Sequence, residues 1–189
     1  MKMDHELYNC SGISSEVYLS GSKTVFGARI RLLEPPVTYS EAVISTVALL
    51  ERLYADSVDE YRWYFIDSQV LFRTIDYTAL RRFAQFLHQS GIPHDRIIFD
   101  VAAPIGDQDE KYRHAIQAAH DNGFRISVCG YRAGLVALGL VGHSVPDFFF
   151  FDAPFLQDAV TDIRIRNCLT HIVGLCRIFG IRTGCEALS

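Results

Sequence analysis

Apolar positions along this chain form two kinds of segment, which alternate from about residue 16 onward. Residues 16–19 and 25–33 have strand character and flank Ser20-Gly21-Ser22-Lys23, a turn sequence that predicts a hairpin. Thr38-Tyr39-Ser40-Glu41 is a capping box and predicts a helix running to about Tyr54. A strand follows at 62–67. Residues 77–90 then place Leu80, Phe83, Ala84 and Leu87 on one helical face, with Gly91 as the stop. Residues 97–101 read as a buried strand. Asp107-Gln108-Asp109-Glu110 opens a helix with Tyr112, Ala115, Ile116 and Ala119 on one side, ended by Gly123. The remaining elements are a strand at 124–129, a short helix near 133–140, a fully apolar strand at 148–151, a helix at 160–179 closed by Gly180, and a last strand at 181–185. Residues 1–15 are polar and weakly periodic, which suggests an N-terminal arm ahead of one α/β domain over 16–189.

Strands without two-face alternation, separated by helices, indicate a parallel sheet covered by helices. Crossovers of that kind put all strand C-termini at one end, where a site would lie. The choice is between a barrel and an open doubly wound sheet. A (β/α)8 barrel takes about 250 residues and this chain has 189, so a barrel here would be truncated. A wall that stops after 181–185 leaves an edge open, and the expectation is a homodimer or a protein partner covering it.

Charge and composition narrow the function. The net charge is −4, which argues against nucleic acid as the main partner. No apolar run suffices to span a bilayer, and Asp4, His5 and Glu6 sit where a signal peptide would be apolar. A cytoplasmic location without membrane contact is expected. Cys10, Cys129, Cys168, Cys176 and Cys185 form no C-x-x-C pair, and the histidines show no H-x-x-x-H spacing. No glycine-rich phosphate loop, Walker loop or G-x-S-x-G is present.

The informative residues close the predicted parallel strands. They are Asp100, the run Ile126-Ser127-Val128-Cys129-Gly130-Tyr131-Arg132-Ala133-Gly134, the run Val145-Pro146-Asp147-Phe148-Phe149-Phe150-Phe151-Asp152-Ala153-Pro154-Phe155, and Phe179-Gly180-Ile181-Arg182-Thr183-Gly184-Cys185-Glu186-Ala187-Leu188. In order and spacing these blocks resemble the EAL domain, the bacterial cyclic di-GMP phosphodiesterase module. Its members carry I-A-L-D-D-F-G-T-G-Y, P-V-D-x-x-K-I-D-x-x-F and L-G-x-x-V-I-A-E-G-V-E at the corresponding places. Upstream, Gly27-Ala28-Arg29-Ile30-Arg31-Leu32 matches the strand that bears the family's signature Glu. The literal Glu186-Ala187-Leu188 corresponds instead to the late E-G-V block. The resemblance implies a TIM-type barrel.

The departures from the family pattern bear on activity. The family hydrolyses a phosphodiester with two divalent metals held by carboxylates and one Asn. Here Arg29 replaces the signature Glu, Cys129 and Gly130 replace the paired Asp, and Phe150 replaces the catalytic Lys. The Asn strand offers Ile66 or Asp67, with the register left open. Only Asp100 and Glu186 remain as matching acids. Two carboxylates beside a guanidinium do not neutralise two dications. The expected site is therefore a degenerate cluster of Arg29, Asp100, Cys129, Gly130, Phe150, Asp152 and Glu186, with no catalytic group, no metal and no cofactor. Arg29 and Arg31 share a strand face. Either that face meets solvent, or Arg29 lies at the barrel mouth paired with Asp100 or Glu186. The implied function is an inactive EAL-like regulatory domain acting through protein contact in bacterial signalling, with cyclic di-GMP bound weakly or not at all. The alternative is a non-hydrolysing cyclic di-GMP sensor using Arg29, Arg31 and Arg132 on the phosphates. Further readings are an active phosphodiesterase, which the lost ligands oppose, and an unrelated doubly wound domain.

Overall fold

The computed structural model describes residues 12–18, 25–32, 38–56, 63–67, 77–102, 109–131 and 146–185. Two strands open the chain, β1 (Gly12–Tyr18) and β2 (Val25–Leu32), and they pair antiparallel as a hairpin. β1 begins at Gly12, so it takes in residues 12–15, which their polarity assigned to the arm. Backbone pairing with β2 holds this edge strand despite Ser14 and Ser15. Helix α1 (Tyr39–Asp56) starts on the capping box. The Thr38 amide donates to Glu41 Oε2 at 3.1 Å, and the Glu41 amide donates to Thr38 Oγ1 at 3.2 Å.

Next come β3 (Trp63–Asp67) and α2 (Tyr77–Gln89), which buries Leu80, Phe83 and Leu87 and ends at Gly91 with φ +70. A 3-10 turn, His94–Arg96, leads into β4 (Ile97–Ala102). Helix α3 (Asp109–Asp121) buries Ile116 and Ala119 and precedes β5 (Arg125–Tyr131) and β6 (Phe148–Phe151).

After β6 the chain forms two helices, not the single one expected over 160–179. They are α4 (Ala153–Thr161) and α5 (Ile163–Ile178), followed by β7 (Arg182–Cys185). The reason is local. Asp152, with Pro154 in the first turn, caps α4 by accepting the Phe155 amide at 3.0 Å. Asp162 is extended and caps α5 by accepting the Arg164 amide at 2.8 Å. The short helix expected near 133–140 lies outside the described residues.

The strands lie side by side in chain order, β1 to β7, and every pair from β2 to β7 is parallel. A doubly wound sheet reverses its strand order at a switch point. This sheet has no reversal, so it is the wall of a truncated (β/α) barrel. Side chains alternate across the wall. Ala28, Ile30, Tyr64, Ile66, Phe99 and Ile126 face the helices and pack against Val43, Val47 and Leu50 of α1 and the buried residues of α2 and α3. Val128, Phe149 and Phe151 do the same under α5, against Ile172 and Cys176. The opposite, inner face carries Trp63, Phe65, Ile98, Phe148 and Phe150, all buried. Burial of a large apolar side chain contributes about 1.5–3 kcal/mol, so these two faces hold the wall together.

Candidate functional site on the inner barrel face

Two charged side chains sit inside this aromatic lining. Arg29, in the middle of β2, is 8% exposed, and Asp100, on β4, is 4% exposed. Strand alternation puts them on the inner face, because their neighbours Ala28, Ile30, Phe99 and Val101 are on the outer one. Arg29 Nε donates to Asp100 Oδ2 at 2.5 Å, one of the two pairings the sequence allowed and incompatible with a solvent-facing Arg29. The other carboxylate oxygen accepts the hydroxyl of buried Ser127 on β5. The guanidinium lies 5.0 Å from the centroid of the Phe150 ring and 5.9 Å from that of Phe65.

Register resolves the open choice on β3. Ile66 packs in the helix-side core, whereas Asp67 follows Phe65 by two residues and lies directly opposite Asp100. Burial pushes the Asp100 carboxyl above its ordinary value and Asp67 adds to the rise, while Arg29 and Ser127 oppose it without cancelling it.

The other expected members fall out as follows. Cys129 packs against the inner cluster, and its thiol points to the Val101 carbonyl at 3.7 Å. Gly130 lies where the β5–β6 pairing shifts register. Phe150 is a core side chain, set edge-on to Phe65 with 5.4 Å between centroids. Asp152 does not join the cluster, since its carboxylate is spent on capping α4. Glu186 and Arg132 lie outside the described residues, as does the side chain of Arg31. Ser127 was not singled out from the sequence. The available signal was its place as the polar residue two before Cys129, between apolar Ile126 and Val128.

A divalent cation needs several hard oxygens converging on one point. Here both oxygens of Asp100 are taken, one by the Ser127 hydroxyl and the other by a guanidinium. Among the described residues no three His, Cys, Asp or Glu side chains gather to hold a metal ion. The donor set around Asp100 does not fit a divalent cation. Among the described residues, no helix is long and apolar enough to cross a membrane.

No family model and no curated protein matches the sequence. Solved structures do match. BlrP1 of Klebsiella pneumoniae, solved with manganese and cyclic di-GMP, superimposes with a TM-score of 0.80 at 15% identity, over 97% of this chain and 50% of that one. The EAL domain of Mycobacterium smegmatis DcpA gives 0.74 at 15% identity, over 92% and 77%. The FimX EAL domain gives 0.68 at 13% identity, over 93% and 79%. The chain thus has the EAL-domain fold, in the form of a half-barrel. At these identities the likeness is one of fold, and the chain spans half the length of BlrP1.

Proposed function

We propose that this chain is a catalytically inactive EAL-like regulatory domain that acts by protein–protein contact in bacterial signalling. One observation carries the reading: the inner face holds a buried Arg29–Asp100 pair, closed by Ser127 and packed between Phe65 and Phe150. A positive charge fixed 2.5 Å from the carboxylate repels a dication. It also supplies within the protein the neutralising charge that a metal would bring. The fold persists without the ion because the pair and the aromatic side chains fill the space.

The same pair argues against tight nucleotide binding. Arg29 is buried and its Nε already holds a carboxylate, so its charge is largely offset before a phosphate arrives. Cyclic di-GMP, found in the solved complexes of BlrP1 and of the EAL enzyme Bd1971, therefore binds here weakly or not at all. The working partner is a protein or a second copy of the chain, in the cytoplasm, with no cofactor, nucleic acid or membrane required.

Calorimetry with cyclic di-GMP, with and without manganese, tests this. The expected result is no saturable heat in the low micromolar range. A dissociation constant at or below about 1 μM, roughly −8 kcal/mol, would replace the reading with that of a nucleotide sensor.

A further inference from the structure

Across residues 163–185 the sequence has no Asp or Glu and carries four arginines, Arg164, Arg166, Arg177 and Arg182. The chain totals −4, so the rest of it carries −8. Two of these arginines are engaged at the start of α5. Arg164 pairs with Asp162 at 2.9 Å, and Arg166 donates to the Ala159 carbonyl at 3.0 Å and to that of Val160. Arg177 and Arg182, at the other end, are exposed and have no carboxylate partner among the described residues. Between them in sequence are two large apolar side chains open to solvent, Ile178 at 80% and Phe179 at 45% exposure.

The corner is built rigidly. Gly180, with φ +72, turns the chain from α5 into β7. The Gly180 amide donates to the Arg177 carbonyl at 3.2 Å, and the Ile181 amide donates to that of Cys176 at 2.8 Å. Ile181 is buried beneath, and the Arg182 guanidinium lies 5.6 Å from the centroid of the Phe148 ring.

Aromatic side chains and arginines are the residues that concentrate binding energy at protein interfaces, and pre-set geometry lowers the entropy lost on binding. Two arginines with no carboxylate partner among the described residues select carboxylates on the partner. We propose that this corner, Arg177, Ile178, Phe179 and Arg182, docks an acidic amphipathic segment of a partner protein. The inference rests on the reading of the chain as a protein-contact domain and names where that contact falls.

The test uses the full chain and three labelled helical peptides with the same leucines and with Glu, Gln or Lys at the polar positions. Binding is read by fluorescence anisotropy at low and high salt. The variants are Arg177→Glu/Arg182→Glu, Phe179→Ser and a remote control, Arg81→Glu, on the exposed side of α2. The Glu peptide should bind best. Both corner variants should weaken it about tenfold or more, about 1.4 kcal/mol, and Arg81→Glu should leave it unchanged. The charge effect should fade with salt, while that of Phe179→Ser persists.

Equal binding of the three peptides, or affinity indifferent to the corner variants, would overturn the proposal. So would binding confined to phosphatidylserine vesicles, or self-association that the corner variants abolish; those results would give the corner to a membrane or to a second copy. The same preparations are assayed for cyclic di-GMP hydrolysis. Turnover there would overturn the inactive reading and leave the peptide result standing, whereas loss of peptide binding alone overturns only the corner.

Discussion

Replacing Arg29 with Met removes the guanidinium and leaves Asp100 in the aromatic lining, still bonded to Ser127 but without its neutralising charge. Breaking a buried pair by removing one partner costs about 3–5 kcal/mol. Loss of stacking on Phe150 and Phe65, at 5.0 and 5.9 Å, adds up to about 2 kcal/mol at this buried site. That is a large share of the roughly 5–15 kcal/mol that holds a domain folded. The deficit should depend on pH, and its sign follows from Asp100. Burial raises this carboxyl in the folded state, and loss of Arg29 raises it further. A group raised on folding contributes stability that is fully present below its unfolded pKa and lost as pH rises through the folded one. The Arg29→Met deficit is therefore largest near neutral pH and shrinks on acidification toward the unfolded carboxyl value of about 3.9. Urea unfolding followed by the fluorescence of Trp63, the chain's single tryptophan and part of the inner cluster, measures both. Arg29→Met/Asp100→Leu removes both charges and should recover most of the loss, which keeps the test usable if the single variant fails to fold. A single variant within about 0.5 kcal/mol of wild type, or a deficit that grows on acidification, would refute the reasoning.

Gly184→Ala should destabilise by about 1–3 kcal/mol through overpacking, because an added Cβ would lie 2.6 Å from the Phe150 ring; an unchanged melting temperature would contradict this. Asp147 joins the starts of β5 and β6, accepting from Arg125 at 3.0 Å and the Ile126 amide at 2.9 Å, with His120 at 3.5 Å. Burial pushes its carboxyl up, but the His120 hydrogen bond, the Ile126 amide and the charges of His120 and Arg125 together hold it below its ordinary value. Its contribution is present above the unfolded pKa and disappears as pH falls through the folded one. Asp147→Asn should therefore flatten the stability curve below about pH 4, the unfolded carboxyl value, and parallel curves would count against this role of Asp147.

The sheet was readable because its signals are local. The capping box at Thr38, the glycines at 91, 123 and 180, and the strand Phe148–Phe151 each act within a few residues. What sequence could not fix was pairing between strands. Whether Arg29 meets Asp100, and whether Asp67 or Ile66 faces inward, depend on register, where one step reverses every side chain. The split between α4 and α5 was missed because apolar spacing continues across Asp162, and a cap overrides spacing. Asp152 was placed at the mouth by strand alternation, but β6 ends at Phe151 and a cap begins.

The central claim is that Arg29 and Asp100 occupy the inner face in place of metal chemistry. Incubation of the purified chain with cyclic di-GMP and manganese or magnesium, with linear product resolved by chromatography, tests it most directly. The account predicts no product above a control without protein. Product formation that Glu186→Ala abolishes would contradict it.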